Sequence, residues 1–191
     1  MKCRPRIVRA SALTAFVLLS LGCGAEAPKA PPTKSWATPF FMKGIRTPAA
    51  VGAKEAQLPD ESPVIGVVVK GKPRAYLISA MSNLSQHVIN DVIGDNAVTV
   101  TYCDRSDHPR VFSAEGRDAP LDVDLAGWAD KMILRAGAGL YWQESGEPIA
   151  PNAKGSFPYA TIPHERTTWK AWKEAHSDTD VFVGVKAQVD E

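Results

Sequence analysis

Between Gln86 and Phe112 the chain gathers a thiol, two imidazoles and several carboxylates: His87, Asp91, Cys103, Asp104, Asp107 and His108. Two of the four histidines lie here. Two chemistries suit these residue types. A neighbouring imidazole favours the thiolate of a cysteine, so Cys103 with His87, oriented by Asp104, has the makings of a nucleophile and base. Alternatively, Cys103, His108, His87 and Asp91 offer the sulfur, nitrogen and oxygen donors that zinc or copper takes. Neither set follows a known ligand or catalytic spacing, and a third reading stays open: a free cysteine also simply packs in a core.

The elements that position these residues read as a β-meander. His87 to Ile93 and Val98 to Tyr102 are strand-like runs around the turn formers Gly94-Asp95-Asn96-Ala97, and Arg110 to Ser113 is a further short strand. If Ile93 pairs with Val98, Val88 faces Cys103 and His87 faces Asp104. A three-residue loop puts His87 opposite Cys103 instead. His108 stands at the far side of the next loop, held extended by Pro109. Val98, Val100 and Tyr102 alternate with Thr99, Thr101 and Cys103. If the first set packs the core, the thiol lies on a more polar face. The expected arrangement brings His87, Asp91, Cys103, Asp104 and His108 to one end of the meander.

Around the meander the pattern is of short strands. Val64 to Val69 and Arg74 to Ile78 flank Lys70-Gly71-Lys72-Pro73 as a hairpin, and Ser79 to Ser85 reads as a helical turn. Later strands are expected at 122–126, 131–135, 140–143 and 181–185. One helix is well marked: Thr167 or Thr168 caps Trp169 to His176, with Trp169, Trp172 and Ala175 on one face. The expected class is α+β, a mainly antiparallel sheet with one C-terminal helix near 168–176.

The N-terminus supplies an address. Met1 to Arg9 carries Lys2, Arg4, Arg6 and Arg9 and no acid, and an uncharged run ends in Leu19-Ser20-Leu21-Gly22-Cys23. A basic start and a short apolar run describe an export signal, with an apolar stretch shorter than the ~20 residues of a spanning helix. The ending resembles the lipobox of bacterial lipoproteins, which implies cleavage after residue 22 and lipidation of Cys23. The chain then divides into a signal peptide (1–22), a lipid anchor and proline-rich tether (23–59) and one globular domain (60–187). Loss of 1–22 leaves 18 basic residues against 21 acids, a net charge of −3. With no basic run, nucleic acid is not an expected partner. The membrane, through the lipid at Cys23, and an unidentified small molecule are. The protein is expected to be exported and held in the bacterial cell envelope. Cys103 then has no disulfide partner in its own chain.

Residues 60 to 184 resemble the bacterial and archaeal domain-of-unknown-function family 3179. The matching pieces are Val64-Ile65-Gly66-Val67, Arg74-Ala75-Tyr76, Val88-Ile89-Asn90-Asp91, Val100-Thr101-Tyr102-Cys103, Thr167-Thr168-Trp169 and His176-Ser177-Asp178-Thr179. Many relatives carry His-Glu where this chain has Gln86-His87, and a second cysteine that Asp104 to His108 does not supply. The resemblance thus implies a domain rather than an activity, and a two-thiol mechanism is not open to one chain. Two function classes remain: an extracytoplasmic binding lipoprotein, and a thiol- or metal-dependent enzyme acting on an envelope or extracellular small molecule.

Overall fold

A computed structural model describes residues 40–150 and 153–185. The signal sequence, Cys23 and the tether up to residue 39 lie outside the described residues, as does the end of the expected domain at 186–187. The described strands are β1 (Ile45–Arg46), β2 (Val51–Gly52), β3 (Pro63–Val69), β4 (Lys72–Leu77), β5 (Val88–Ile93), β6 (Asn96–Cys103), β7 (His108–Ala114), β8 (Val123–Ala129), β9 (Lys131–Ala136), β10 (Gly139–Trp142), β11 (Ala160–Thr161), β12 (Glu165–Thr168) and β13 (Asp180–Phe182). The helices are α1 (Ile78–Met81) and α2 (Trp169–Ala175), with a 3-10 turn at Leu84–Gln86. The domain is therefore mostly strand. No helix of the described residues is long and apolar enough to cross a membrane.

The strands form three sheets among the described residues, in the orders β1-β5-β6-β7-β11, β12-β3-β4-β13-β2 and β10-β9-β8. Pairing is antiparallel except for β1 with β5 and β13 with β4. Three apolar clusters hold these layers. Ile65, Tyr76 and Phe182 of the second sheet meet Ile89, Val100 and Val111 of the first. The other face of the first sheet, with Val88, Cys103 and Phe112, packs on Val123, Leu125, Met132 and Leu134 of the third. Helix α2 covers the outer face of the second sheet through Trp169 and Trp172. The first sheet is thus central and covered on both faces, and every residue of β6 is buried.

Turn chemistry fixes both hairpins. Lys70 and Gly71 take φ of 48° and 79°, as a two-residue I′ turn requires, and Val69 pairs with Lys72. Between β5 and β6 the loop is Gly94-Asp95, with Gly94 at φ 67°, as the first residue of a II′ turn needs. Ile93 therefore pairs with Asn96, and Val88 faces Thr101 rather than Cys103. The expected register is corrected by two residues. A two-residue slip keeps each side chain on its face but shifts it along the strand. The expected polar face for Cys103 is corrected too, because the third sheet buries that face. Thr99 and Thr101 satisfy their hydroxyls there by donating to Asn90 Oδ1 (2.8 Å) and to the Arg110 carbonyl (2.9 Å). Thr168 caps α2 as expected, accepting from the Ala171 N–H at 3.3 Å. Strands β1 and β2 draw chain before Asp60 into the sheets, so the ordered domain starts earlier than its sequence pattern suggests.

Candidate functional site

Cys103 ends β6 and pairs with His108 at the start of β7, across a turn in which Asp107 takes φ 52°. His87 follows the 3-10 turn, whose Ser85 N–H donates to Asn83 Oδ1 at 3.1 Å. The His87 ring is buried and spans two contacts: Nδ1 lies 2.7 Å from the Met81 carbonyl and Nε2 3.1 Å from Asp104 Oδ1. Both ring nitrogens thus face oxygen acceptors, and the tautomer decides which of them donates. Among the described residues no hydrogen bond joins the Cys103 sulfur to either imidazole.

His87, Cys103 and Asp104 nonetheless line one recess of about 100 Å³, closed by Trp128 and Met132 from the third sheet. The Arg105 guanidinium stacks on the Trp128 ring, 4.8 Å from its centroid. The structure brings three of the five expected site residues to one place. His108 pairs with Cys103 in the ladder, and its carbonyl accepts from Gln143 Nε2 at 3.0 Å.

Asp91 lies elsewhere. It shares the opposite face of the central sheet with Val98 and meets the second sheet. Its Oδ2 accepts from Arg74 Nη1 at 2.8 Å and from the Tyr76 hydroxyl at 2.7 Å, and its Oδ1 from the Val92 N–H at 2.7 Å. Arg74 also grips Asp180 with Nε and Nη2, both at 2.7 Å. Burial works against the charge on Arg74, but Asp180 and Asp91 together raise its pKa above the ordinary range. Burial, then the Asp91 carboxylate, push the Tyr76 phenol well above 10. Asp91 is thus a clamp between sheets and is removed from the metal set. Among the described residues no three His, Cys, Asp or Glu side chains are disposed to hold a metal ion, so the zinc or copper reading has no cluster to rest on there.

On the same face, Tyr102 donates to Asp107 Oδ1 at 2.6 Å, while Arg166 Nη1 donates to Asp107 Oδ2 at 2.6 Å. Arg166 holds the Asp107 carboxyl below its usual range. Burial and then Asp107 push the Tyr102 phenol up to about 12. A raised acid pKa stabilises the fold below the unfolded value of about 10, and that contribution fades as pH rises from 10 toward 12. The phenolate absorbance of the protein minus that of Tyr102→Phe should therefore rise near pH 12. A difference centred at 10 would show that the Asp107 contact does not persist in solution.

A second and larger cavity lies on the outer face of the three-stranded sheet. It holds about 750 Å³ and is walled by Ala126, Ile133, Leu140 and Ile149, with Trp128 and Tyr141 adding aromatic surface and Lys154 at its edge. A β-bulge between Leu125 and Gly127 lets Gly127 and Trp128 border both cavities. Sequence reasoning missed this cavity, because its lining is spread over 126–154 without a period. Tyr141 folds over Gly139, where a Cβ would meet its hydroxyl at 2.4 Å and its ring at 2.5 Å, so a larger residue there would displace the end of that side chain.

No curated protein and no solved structure matches the chain. A family model described as protein of unknown function (DUF3179) matches residues 44–189, which takes in every described strand and the whole lining of the larger cavity. The chain belongs to that family.

Proposed function

We propose that this protein is an exported, lipid-anchored binding module of α+β class, which takes an apolar small molecule into the cleft on the outer face of the three-stranded sheet. The cleft carries this reading. Its volume of about 750 Å³ falls inside the ~300–1,000 Å³ of small-molecule sites, and like them it is mainly apolar with few polar groups. The address, an anchor in the envelope membrane, rests on the basic start, apolar run and lipobox-like ending before Cys23. Titration with the neutral apolar dye Nile red tests the binding. Saturable fluorescence gain is expected, weakened at least ~10-fold by Leu140→Asp at unchanged melting temperature, because a carboxylate on an apolar wall must be desolvated by the ligand. A folded protein that gives no saturable signal would refute it. Intact mass of the membrane fraction tests the anchor: a mature chain beginning at an acylated Cys23 is expected, and an unmodified Cys23 would overturn it.

A second reading is favoured by one observation, the His87–Asp104 pair sharing a recess with Cys103. It makes the protein a thiol-dependent enzyme on an envelope small molecule. Iodoacetamide labelling of the folded protein across pH separates the two. Labelling of Cys103 well below the ordinary thiol range supports the enzyme. A thiol that labels only after denaturation, as its burial beside Leu125 and Met132 favours, leaves the binding module.

A further inference from the structure

We infer that the ligand of the cleft is an anionic amphiphile, a single aliphatic tail ending in a carboxylate, with the tail on the apolar wall and the head group at Lys154; this rests on the binding reading above. Two observations define the occupant. The first is the composition of the wall. Ala126, Ala138, Ile133, Leu140 and Ile149 make much of it, beside the Trp128 and Tyr141 rings, an apolar surface that favours methylenes over polar groups.

The second is charge. Lys154 is the single ionisable cation on the wall, and among the described residues no acid pairs with it. The cations of the three-stranded sheet behave otherwise. Lys131 is neutralised by Glu144 at 2.7 Å, and Arg135 by Asp124 at 2.7 Å while it stacks on Phe41. The wall carries no acid, so the Lys154 ammonium is the one charged group among its lining residues. An ammonium left without a counter-charge beside an apolar cleft complements a ligand with one negative end and an apolar body. The flexible stem of a lysine lets that ammonium follow the head while its methylenes add to the wall. A carboxylate is the head that a single ammonium neutralises; a phosphate would leave charge uncompensated.

The test uses the full chain carrying Cys23→Ser, so that no acyl group of its own competes. Binding of octanoate, decanoate, dodecanoate and dodecan-1-ol is measured by calorimetry below their aggregation concentrations. Affinity is expected to rise about fourfold per methylene across the carboxylates, the fold-change that corresponds to burying each CH₂. Dodecanoate should bind at least ~10-fold more tightly than dodecan-1-ol. Lys154→Gln should abolish that advantage by weakening dodecanoate far more than dodecan-1-ol, and Lys154→Arg should retain it. If acid and alcohol bind equally, the head-group assignment is overturned and the apolar cleft stands. A carboxylate preference that survives Lys154→Gln overturns it as well, by placing the head elsewhere. If no chain of either kind binds, the cleft reading itself fails along with the assignment.

Discussion

Replacing Asp91 by alanine is expected to destabilise the domain by about 3–5 kcal/mol, the usual cost of removing one partner from a buried ion pair. The carboxylate is almost fully buried, at 2% exposure, and three donors converge on it. Without it the Tyr76 hydroxyl, itself fully buried, loses its acceptor, and Arg74 keeps Asp180 alone. Two of the donors, Arg74 and Tyr76, come from β4 and the acceptor from β5, so the loss falls on the contact between two sheets. Asp91→Asn should cost less, because a side-chain carbonyl can still accept from Tyr76 while the charge pairing is lost. For a domain of this size the alanine variant corresponds to a fall in melting temperature on the order of 10 °C. Urea unfolding followed by tryptophan fluorescence measures it. A cost under about 1 kcal/mol for Asp91→Ala would mean that water replaces the carboxylate at this junction and that the clamp adds little.

What the sequence revealed depended on how local each feature is. The hairpin after Val69 and the helix after Thr168 rest on turn and cap chemistry written in adjacent residues; both are present, though the hairpin turn is Lys70-Gly71 alone and Lys72 and Pro73 already belong to the second strand. The register of β5 against β6 was less legible, because Gly94, Asp95, Asn96 and Ala97 are all compatible with a turn. Only the positive φ of Gly94 settles that two of them form it. The strands β1, β2 and β11 have two residues each, too few to show a period, and form because longer strands offer them an edge. The alternation in β6 was legible, but not that both its faces are covered, since the cover comes from β8 and β9 some twenty or more residues away. The His87–Asp104 contact survives the register correction because His87 lies beyond the strand, and its ring reaches the turn after Cys103 from there. Asp91 was grouped with it on sequence proximity, which cannot tell one face of a central sheet from the other.

Trp172→Ala should cost a comparable amount, about 3–5 kcal/mol, by opening a cavity between α2 and the second sheet. The ring is 2% exposed, its Nε1 donates to Thr179 Oγ1 at 2.9 Å, and its face lies over Gly66 in the middle of β3. That glycine is the other half of the contact. A Cβ there would meet three atoms of the indole at 2.2–2.6 Å, far inside contact distance. The ring cannot step aside without giving up Thr179, so Gly66→Ala should itself cost about 1–3 kcal/mol or more through overpacking. The φ of Gly66 is not in the left-handed region, so the strain comes from the indole and not from the backbone. The two substitutions should therefore be strongly coupled. In the Trp172→Ala background the new methyl has room, and Gly66→Ala should become nearly neutral or mildly stabilising, since alanine loses less backbone entropy than glycine. Urea unfolding of the four proteins of the cycle gives the coupling directly. An equal cost for Gly66→Ala in both backgrounds would show that the indole does not rest on β3, and with it the seating of α2 on the sheet would have to be redrawn.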